Sequence, residues 1–173
     1  MAGRIVIVDY DPAWPAVFES LRARVADALG SLALGIEHVG GTAVPGLAAK
    51  PIIDLDVIVA HPFHIAEAIE RLEEIGYRHR GDEGILGREA FDHPSQCPLH
   101  HLYVCAVGSL ALRHHLALRE VLRADCALAA EYAALKRALA ARFGEDREAY
   151  AQAKSAFIDQ IYMRCGLPPG PGR

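Results

Sequence analysis

Residues 36 to 59 read IEHVGGTAVPGLAAKPIIDLDVIV, and this stretch decides the fold that the sequence predicts. Its second apolar run, Ile52 to Val59, is rich in β-branched residues and has the length of a strand. Because side chains alternate between the faces of a strand, Asp54 and Asp56 point the same way and repel each other. Hard divalent cations such as Mg2+ bind carboxylate oxygens and often bridge to substrate phosphates. The spacing therefore indicates a metal-assisted phosphate site, and two solvated aspartates on a strand edge are the alternative.

A glycine-rich turn precedes this acidic strand. Gly40 and Gly41 have no Cβ, so the backbone there can adopt positive φ and approach a ligand closely. The N–H groups of such a turn can form a concavity that binds anions. Thr42 adds a hydroxyl, and Lys50 stands at the entry to the strand, where it can supply a cation for phosphate oxygens. The alternative is an ordinary tight turn followed by a solvated lysine.

The same residues resemble a known family. The run EHVGGTAVPGL at residues 37–47, followed by KPIIDLD at residues 50–56, resembles the GrpB family, also called UPF0157. That family resembles the nucleotidyltransferase superfamily, whose signature is a Gly-Ser turn followed by Asp-x-Asp on the next strand. The likeness continues through residues 101–104 and 118–123 into the C-terminal helices, so it covers nearly the whole chain.

The resemblance implies an α+β fold, in which a nucleotidyltransferase-like mixed sheet has helices on one side and a helical C-terminal segment closes a cleft. It implies that Asp54 and Asp56 hold Mg2+, or alternatively Mn2+, and act in catalysis together with His101. The substrate-binding residues would be His38, Gly40, Gly41, Thr42, Lys50, Arg119, Lys136, Tyr150 and Lys154.

Two positions depart from the nucleotidyltransferase pattern. Gly41 stands where the superfamily has serine, which removes a hydroxyl for a phosphate oxygen and leaves Thr42 as a partial substitute. The superfamily also presents a third carboxylate on a later strand, and residues 99–105 (LHHLYVC) contain none. His101 is one replacement, and Glu89 or Asp92 on the preceding strand are others. Loss of a carboxylate weakens a two-metal arrangement, so a single-metal site and a catalytically silent pocket both stay open.

Two tyrosine–lysine pairs occur in the predicted C-terminal helices. Tyr132 and Lys136 are four residues apart, as are Tyr150 and Lys154, so each pair shares a helix face. By the resemblance, the rings offer stacking for a base and the ammonium groups bind phosphates. The alternative is packing of each ring on an amphipathic helix with the lysine head in water. Arg119 is likewise either a phosphate ligand or a surface charge.

A second cluster of polar residues combines His93, Cys97, His100 and His101. Its spacing permits a transition-metal site, but no second ligand pair at zinc-finger spacing accompanies it. His101 fits better as a side chain near the aspartates. His38, just before the glycine turn, either contacts phosphate or orients an aspartate, or is an ordinary hydrogen-bonded histidine.

Length and composition predict one domain over residues 1–165 and a flexible tail over residues 166–173, GLPPGPGR. The net charge of −4 argues against general nucleic-acid binding. The sequence has neither an apolar run of transmembrane length nor a signal peptide, so we expect a cytoplasmic protein without a membrane partner. The four cysteines lack paired spacing and indicate reduced thiols.

Periodicity and breaker residues give a coarse order of elements. The predicted strands are residues 4–8, 36–39, 52–59, 77–80, 88–91 and 99–107. The predicted helices are residues 11–29, 63–75, 110–123, 126–143 and 146–165, the first with Pro12 in its opening turn and the second with Phe63 in its apolar stripe.

Two functions are consistent with these features. The first is an enzyme that transfers a nucleotidyl group from a nucleoside triphosphate to a small acceptor, by positioning and charge neutralisation. The second is a catalytically silent nucleotide-binding or interaction module of the same fold. Members of the family also occur fused to dephospho-coenzyme A kinase, which fits an accessory role. The intact Asp54-x-Asp56 favours the enzyme, whereas the missing serine and third acid favour the silent module.

Overall fold

The structure, a computed structural model, describes residues 4–170. Its strands are β1 (Gly35–Val39), β2 (Ile53–Val59), β3 (Arg78–Gly81), β4 (Arg88–Asp92) and β5 (His100–Ala106). Its α-helices are α1 (Trp14–Leu29), α2 (Ile65–Glu74), α3 (Leu110–Ala124), α4 (Cys126–Phe143) and α5 (Arg147–Arg164). Short 3-10 turns cover Gly30–Leu32, Gly41–Ala43 and Pro62–His64.

The strands form one mixed sheet in the order β1-β2-β5-β4-β3. Strands β2 and β5 are parallel, and the other neighbours are antiparallel. The register sets Asp54 opposite His101 and Asp56 opposite Tyr103. The α+β prediction is confirmed, and the later strand lies directly beside the acidic one.

The two faces of β2 have different partners. Val57 and Val59 pack against Val25 and Leu29 of α1 and Leu72 of α2, which forms the main apolar core. These side chains are buried, and the removal of their apolar surface from water stabilises the folded state. The opposite face of β2 carries both aspartates, and the C-terminal helices lie on that side. The alternation of the strand therefore separates the core from the polar face.

Helices α3, α4 and α5 begin with side-chain caps. Ser109, Asp125 and Asp146 each accept a hydrogen bond from a backbone N–H in the first turn of the helix that follows. Tyr132 and Ile161 pack with Leu122, Val44 and Leu47, so the three helices enclose the loop between β1 and β2. This agrees with the predicted helical C-terminal segment.

Three expectations about the chain are wrong. Residues 4–8 do not form a strand of the sheet, because Ile5 packs on the C-terminal helices and only Val8 makes a single bridge, to Ala49. Helix α1 begins at Trp14 instead of residue 11, with Pro15 in its first turn. Phe63 is 73% exposed and lies in the turn before α2.

The C-terminal segment, which the sequence predicts to be flexible, makes specific contacts. Residues 166–170 have no regular structure, yet Leu167 is buried and the Gly170 N–H donates to Oδ1 of Asp159 at 2.8 Å. This part of the segment lies against α5, and residues 171–173 lie outside the described residues. Within residues 4–170, no helix combines the length and apolar character needed to cross a bilayer.

Candidate functional site

A cavity of about 510 Å3 lies between the polar face of the sheet and the C-terminal helices. The predicted site residues that line it are Gly40, Gly41, Lys50, Asp54, His101, Arg119, Lys136, Tyr150 and Lys154. The fold thus brings together residues that are more than 100 positions apart in the chain. Asp56, His38 and Thr42 are not among the lining residues.

Of the two aspartates predicted to hold a metal, Asp54 is the one that reaches the cavity. Its side chain is 25% exposed, and Nδ1 of His101 lies 2.8 Å from its Oδ1. A carboxylate only accepts hydrogen bonds at neutral pH, so the imidazole donates. Gly40, at φ 72°, packs against the other side of this carboxylate. The predicted proximity of His101 to the acidic strand is therefore present in the structure.

Asp56 is fully buried, at 0% exposure, and has a different partner. Its Oδ2 lies 2.8 Å from Nδ1 of His115, a residue of α3. Its Oδ1 is buried without a hydrogen-bond partner in the part of the chain that the structure describes. Sequence reasoning missed His115, since no spacing rule connects a histidine on α3 with an aspartate on β2.

The glycine turn is braced from the apolar face of the sheet. His38 pairs with Leu55 in the register, so its side chain shares the face of Leu55 and stacks on Phe18, with ring centroids 4.6 Å apart. Nε2 of His38 lies 2.9 Å from Oγ1 of Thr42, and burial lowers the pKa of His38 to about 4. His38 and Thr42 therefore support the turn from behind, and their predicted side-chain contacts with phosphate are not what the structure shows.

Gly41 shows why serine is absent at this point of the turn. A Cβ on Gly41 would lie 2.9 Å from Cβ of Ala49 and 3.2 Å from Nζ of Lys136. A side chain there would need the neighbouring loop to shift, because real Cβ atoms do not approach that closely. The space that a serine would take is occupied by a lysine from α4.

Cations and tyrosine rings form one end of the cavity. Nζ of Lys136 lies 4.6 Å from the ring centroid of Tyr132, and Nζ of Lys50 and of Lys154 each lie 4.6 Å from that of Tyr150. Such cation–π contacts stabilise an ammonium group that has left bulk water. Lys136 is only 4% exposed, so its head group is not in water. For this pair, the expectation of a solvated lysine head is wrong.

Mutual repulsion adds to the effect of burial at these lysines. Burial, followed by the charges of Lys154 and Arg137, lowers the pKa of Lys136 to about 7. Burial and the charge of Arg147 also lower the pKa of Lys50. Like charges held close together favour the binding of an anion, which relieves their repulsion.

Arg119 lines the cavity, but its Nε and Nη1 already donate to other groups. Its Nη1 donates to Oε2 of Glu37 at 2.6 Å and to the His38 carbonyl at 2.9 Å, and its Nε donates to Oε1 of Glu120 at 2.7 Å. These contacts connect α3 to β1. The arrangement therefore favours a structural role for Arg119 over the predicted phosphate contact.

The alternative zinc site is not formed. His100 is buried between Oη of Tyr77, at 2.8 Å, and the Pro98 carbonyl, at 2.6 Å, on the opposite face of β5 from His101. Within residues 4–170, no group of three or more His, Cys, Asp or Glu side chains is arranged to hold a metal. Alternation along the strand separates the adjacent histidines.

The two candidates for a third carboxylate are also engaged elsewhere. Oε2 of Glu89 lies 2.7 Å from Nε2 of His79. Asp92 pairs with Arg78 and Arg80 at the outer edge of the sheet. Neither of these acids lines the cavity.

The resemblance noted in the sequence implies a divalent cation at this site. Mg2+ commonly binds one or two carboxylates and completes its shell with water and substrate phosphates. Asp54 fits this role because its carboxylate reaches the cavity, whereas Asp56 is covered by His115. The donors therefore fit an ion completed by the substrate and do not form a cage made of protein alone.

A mixed sheet with a glycine turn before an acidic strand defines a nucleotidyltransferase-like fold. The GLD-2/RNP-8 complex has this fold with a TM-score of 0.58 and 15% identity, over 93% of this chain and 63% of that chain. Cid1 poly(U) polymerase with bound MgGTP matches with a TM-score of 0.55 and 14% identity, over 79% of this chain and 45% of that chain. At such identities the likeness shows the fold alone.

The chain belongs to the GrpB family, since the GrpB protein model matches residues 4–164. The crystal structure of conserved protein GrpB from Enterococcus faecalis has a TM-score of 0.83 and 34% identity, over 92% of this chain and 96% of that chain. UPF0157 protein YqkA of Bacillus subtilis (strain 168) is 33% identical over 155 residues, which are 90% of this chain and 45% of YqkA. This chain thus spans less than half of that relative.

A longer relative bears on the expected gene fusion. A protein of Mycolicibacterium paratuberculosis named dephospho-CoA kinase is 28% identical over 183 residues, covering 91% of this chain and 45% of that protein. The match leaves more than half of that kinase outside the similar region. This agrees with the expectation that GrpB-like domains occur fused to dephospho-coenzyme A kinase.

Proposed function

We propose that the cavity binds a nucleoside triphosphate and transfers its nucleotidyl group to a small acceptor. The observation that carries this proposal is the arrangement of opposite charges around one cavity. Asp54 lies on the sheet side, and Lys136 and Lys154 extend from the helices. A nucleotidyltransferase-like fold supplies the frame for both.

The lysine end of the cavity suits the phosphate groups. Lys50, Lys136 and Lys154 provide ammonium donors, and charge-assisted hydrogen bonds to phosphate are shorter and stronger than neutral ones. The backbone of Gly40 and Gly41 lines the same cavity. Because glycine has no Cβ, a phosphate group can approach the backbone closely there. The rings of Tyr132 and Tyr150 lie against the ammonium groups of Lys136 and Lys154.

Asp54 and the phosphates of the substrate would together hold Mg2+ or Mn2+. When bound, such an ion neutralises phosphate charge and orients the reacting phosphoryl group. Asp54 is prepared for this by the strand register and by His101, which fixes the direction of its carboxylate. Catalysis would then depend on positioning and on the field of the surrounding charges.

The second candidate is a nucleotide-binding module without turnover. Gly41 in place of serine favours it, as do the engaged carboxylates of Glu89 and Asp92. Both candidates predict binding of a nucleoside triphosphate. Only the transferase predicts release of pyrophosphate when an acceptor is present.

Calorimetric titration with ATP, with and without Mg2+, tests the shared prediction. We expect Mg2+-dependent binding that Asp54→Asn abolishes and that Lys136→Met weakens at least tenfold. Arg113→Gln is the matched control, because Arg113 is an exposed cation on α3 outside the cavity. No binding of any nucleoside triphosphate by the wild-type chain would reject both candidates.

A further inference from the structure

His115 and Asp56 form a hydrogen-bonded pair that has no role in the proposed binding of the nucleotide. Nδ1 of His115 lies 2.8 Å from Oδ2 of Asp56, and the carboxylate can only accept, so Nδ1 carries the proton. In that tautomer the lone pair lies on Nε2. A fully buried carboxylate fixes both the tautomer and the ring direction, as in catalytic histidines that an aspartate orients.

Helix α3 turns this ring toward the cavity. Ala111, His115, Leu118 and Leu122 follow one another at spacings of four, three and four, and all line the cavity. Asp56 is the one hydrogen-bond partner of the ring within residues 4–170, so no other described residue occupies Nε2. The His115 side chain is 24% exposed, which leaves room for a reactant.

We propose that His115 is the general base of the reaction and that Asp56 is its positioning residue, an inference that rests on the proposed function. Nε2 takes the proton from the hydroxyl group of the acceptor. The acceptor oxygen bonds to the α-phosphorus, the bond from that phosphorus to the β-phosphate oxygen breaks, and pyrophosphate leaves. A histidine from α3 thereby supplies the general base.

His101 is the competing candidate. It also pairs with an aspartate, but that aspartate is Asp54, which the cation would use. Beside His115, α3 presents the apolar side chains of Ala111 and Leu118. The acceptor is a small molecule whose hydroxyl group reaches Nε2 of His115.

A chemical test of His115 does not require the protein to turn over a substrate. Diethyl pyrocarbonate acylates neutral, accessible imidazole nitrogens, and mass spectrometry of peptides cut from the treated chain gives a rate for each histidine. We expect His115 to react, and Asp56→Asn to slow that reaction at least fivefold without changing the rate at exposed His61. The proposed role of the pair would be overturned if His115 stayed unmodified while His61 reacted. It would also be overturned if Asp56→Asn left the rate at His115 unchanged.

A kinetic test uses pyrophosphate release from MgATP, with water and with a series of small alcohols as acceptors. His115→Ala should lower kcat at least a hundredfold with KM unchanged, as loss of a general base does. Added imidazole should raise the kcat of His115→Ala at least tenfold, which would not occur if His115 had a purely structural role. His61→Ala is the control and should behave as wild type.

The two tests separate the two proposals. Pyrophosphate release that survives His115→Ala would overturn the general base and keep the transferase. A reactive, Asp56-dependent His115 in a chain that releases no pyrophosphate would keep the hydrogen-bonded pair but overturn both nucleotidyl transfer and the general base. Since the chemical test of His115 uses the wild-type chain, it does not depend on the folding of His115→Ala.

Discussion

Gly40 lies against Asp54 so closely that a Cβ on Gly40 would stand 2.1 Å from Oδ2 of that carboxylate. The φ angle of Gly40 is 72°, in the left-handed region that side chains rarely adopt. Both features require glycine, and both arise because the turn folds back over the acidic strand. The turn and the carboxylate therefore form one unit, in which a change at either residue moves the other.

We predict that Gly40→Ala lowers the free energy of unfolding by about 3 kcal/mol or more. The methyl group would meet the carboxylate and displace it from the cavity. Gly46→Ala is the matched control, because Gly46 has φ 79° and a Cβ there would meet nothing within 4 Å. The control therefore shows the backbone effect alone, about 1 kcal/mol. Urea unfolding measures both, and equal losses for the two variants would contradict the predicted contact.

The buried ammonium of Lys136 makes the protein less stable at neutral pH than it would be without that charge. The pKa of Lys136 is lowered to about 7 in the folded state from an ordinary value near 10.5. The unfolded chain therefore binds more protons between these values, so this contribution favours folding more as the pH rises through that window. Well below pH 7, Lys136 is charged in both the folded and the unfolded state, and its destabilising effect is then at its maximum.

Lys136→Met should consequently raise the free energy of unfolding by an amount on the order of a few kcal/mol at pH 7. The gain should shrink as the pH approaches 10. Urea unfolding of both proteins at pH 7, 8 and 9 measures the difference. Arg113→Met, at an exposed position of α3, controls for loss of a cation in general. A gain that is constant across this range would contradict the lowered pKa.

Arg119 is expected to matter more for stability than for nucleotide affinity. It donates to Glu37 and to the His38 carbonyl, and its removal leaves both without their partner at the junction of α3 and β1. We predict that Arg119→Gln lowers the free energy of unfolding by about 1–2 kcal/mol. Binding of ATP, measured by calorimetry, should change less than threefold, and a larger loss would restore the phosphate contact inferred from the sequence.

The parts of the fold that can be predicted from sequence are those with local signals. The alternation at Ile53–Val59 indicates both the strand and the shared face of its aspartates. Ser109 and Asp125 indicate helix starts, because a capping side chain is read from neighbouring residues. Nine of the 25 residues that line the cavity are predicted, and those from the C-terminal helices depend on the likeness to a family, which already contains the long-range arrangement.

The features that sequence does not reveal depend on contacts between distant residues. The pairing of Asp56 with His115 spans 59 positions, and no local pattern marks it. The position of His38 before the turn predicts a phosphate contact, but the strand register turns its side chain to the apolar face. The burial of Lys136 follows from the packing of α4 over the turn, which a helical periodicity does not show.

Burial lowers the pKa of partly buried His38 and of buried His100 and His114, which should make the protein sensitive to acid. Burial lowers the pKa of His38 and of His100 to about 4 each, whereas the ordinary value is near 6.5. The unfolded chain therefore binds more protons than the folded one between pH 6.5 and pH 4. The free energy of unfolding must fall as the pH falls through this window, by about 1 kcal/mol per pH unit for each histidine.

Urea unfolding at pH 7, 6, 5 and 4.5 measures this slope. His38→Gln should be less stable than wild type at pH 7, because the contact with Thr42 is weakened, yet its slope between pH 6 and pH 5 should be less steep. His61→Gln removes an exposed histidine and should leave the slope unchanged. An unaltered slope in His38→Gln would show that His38 is protonated as readily in the folded chain as in the unfolded one, in contradiction to its burial beside Phe18.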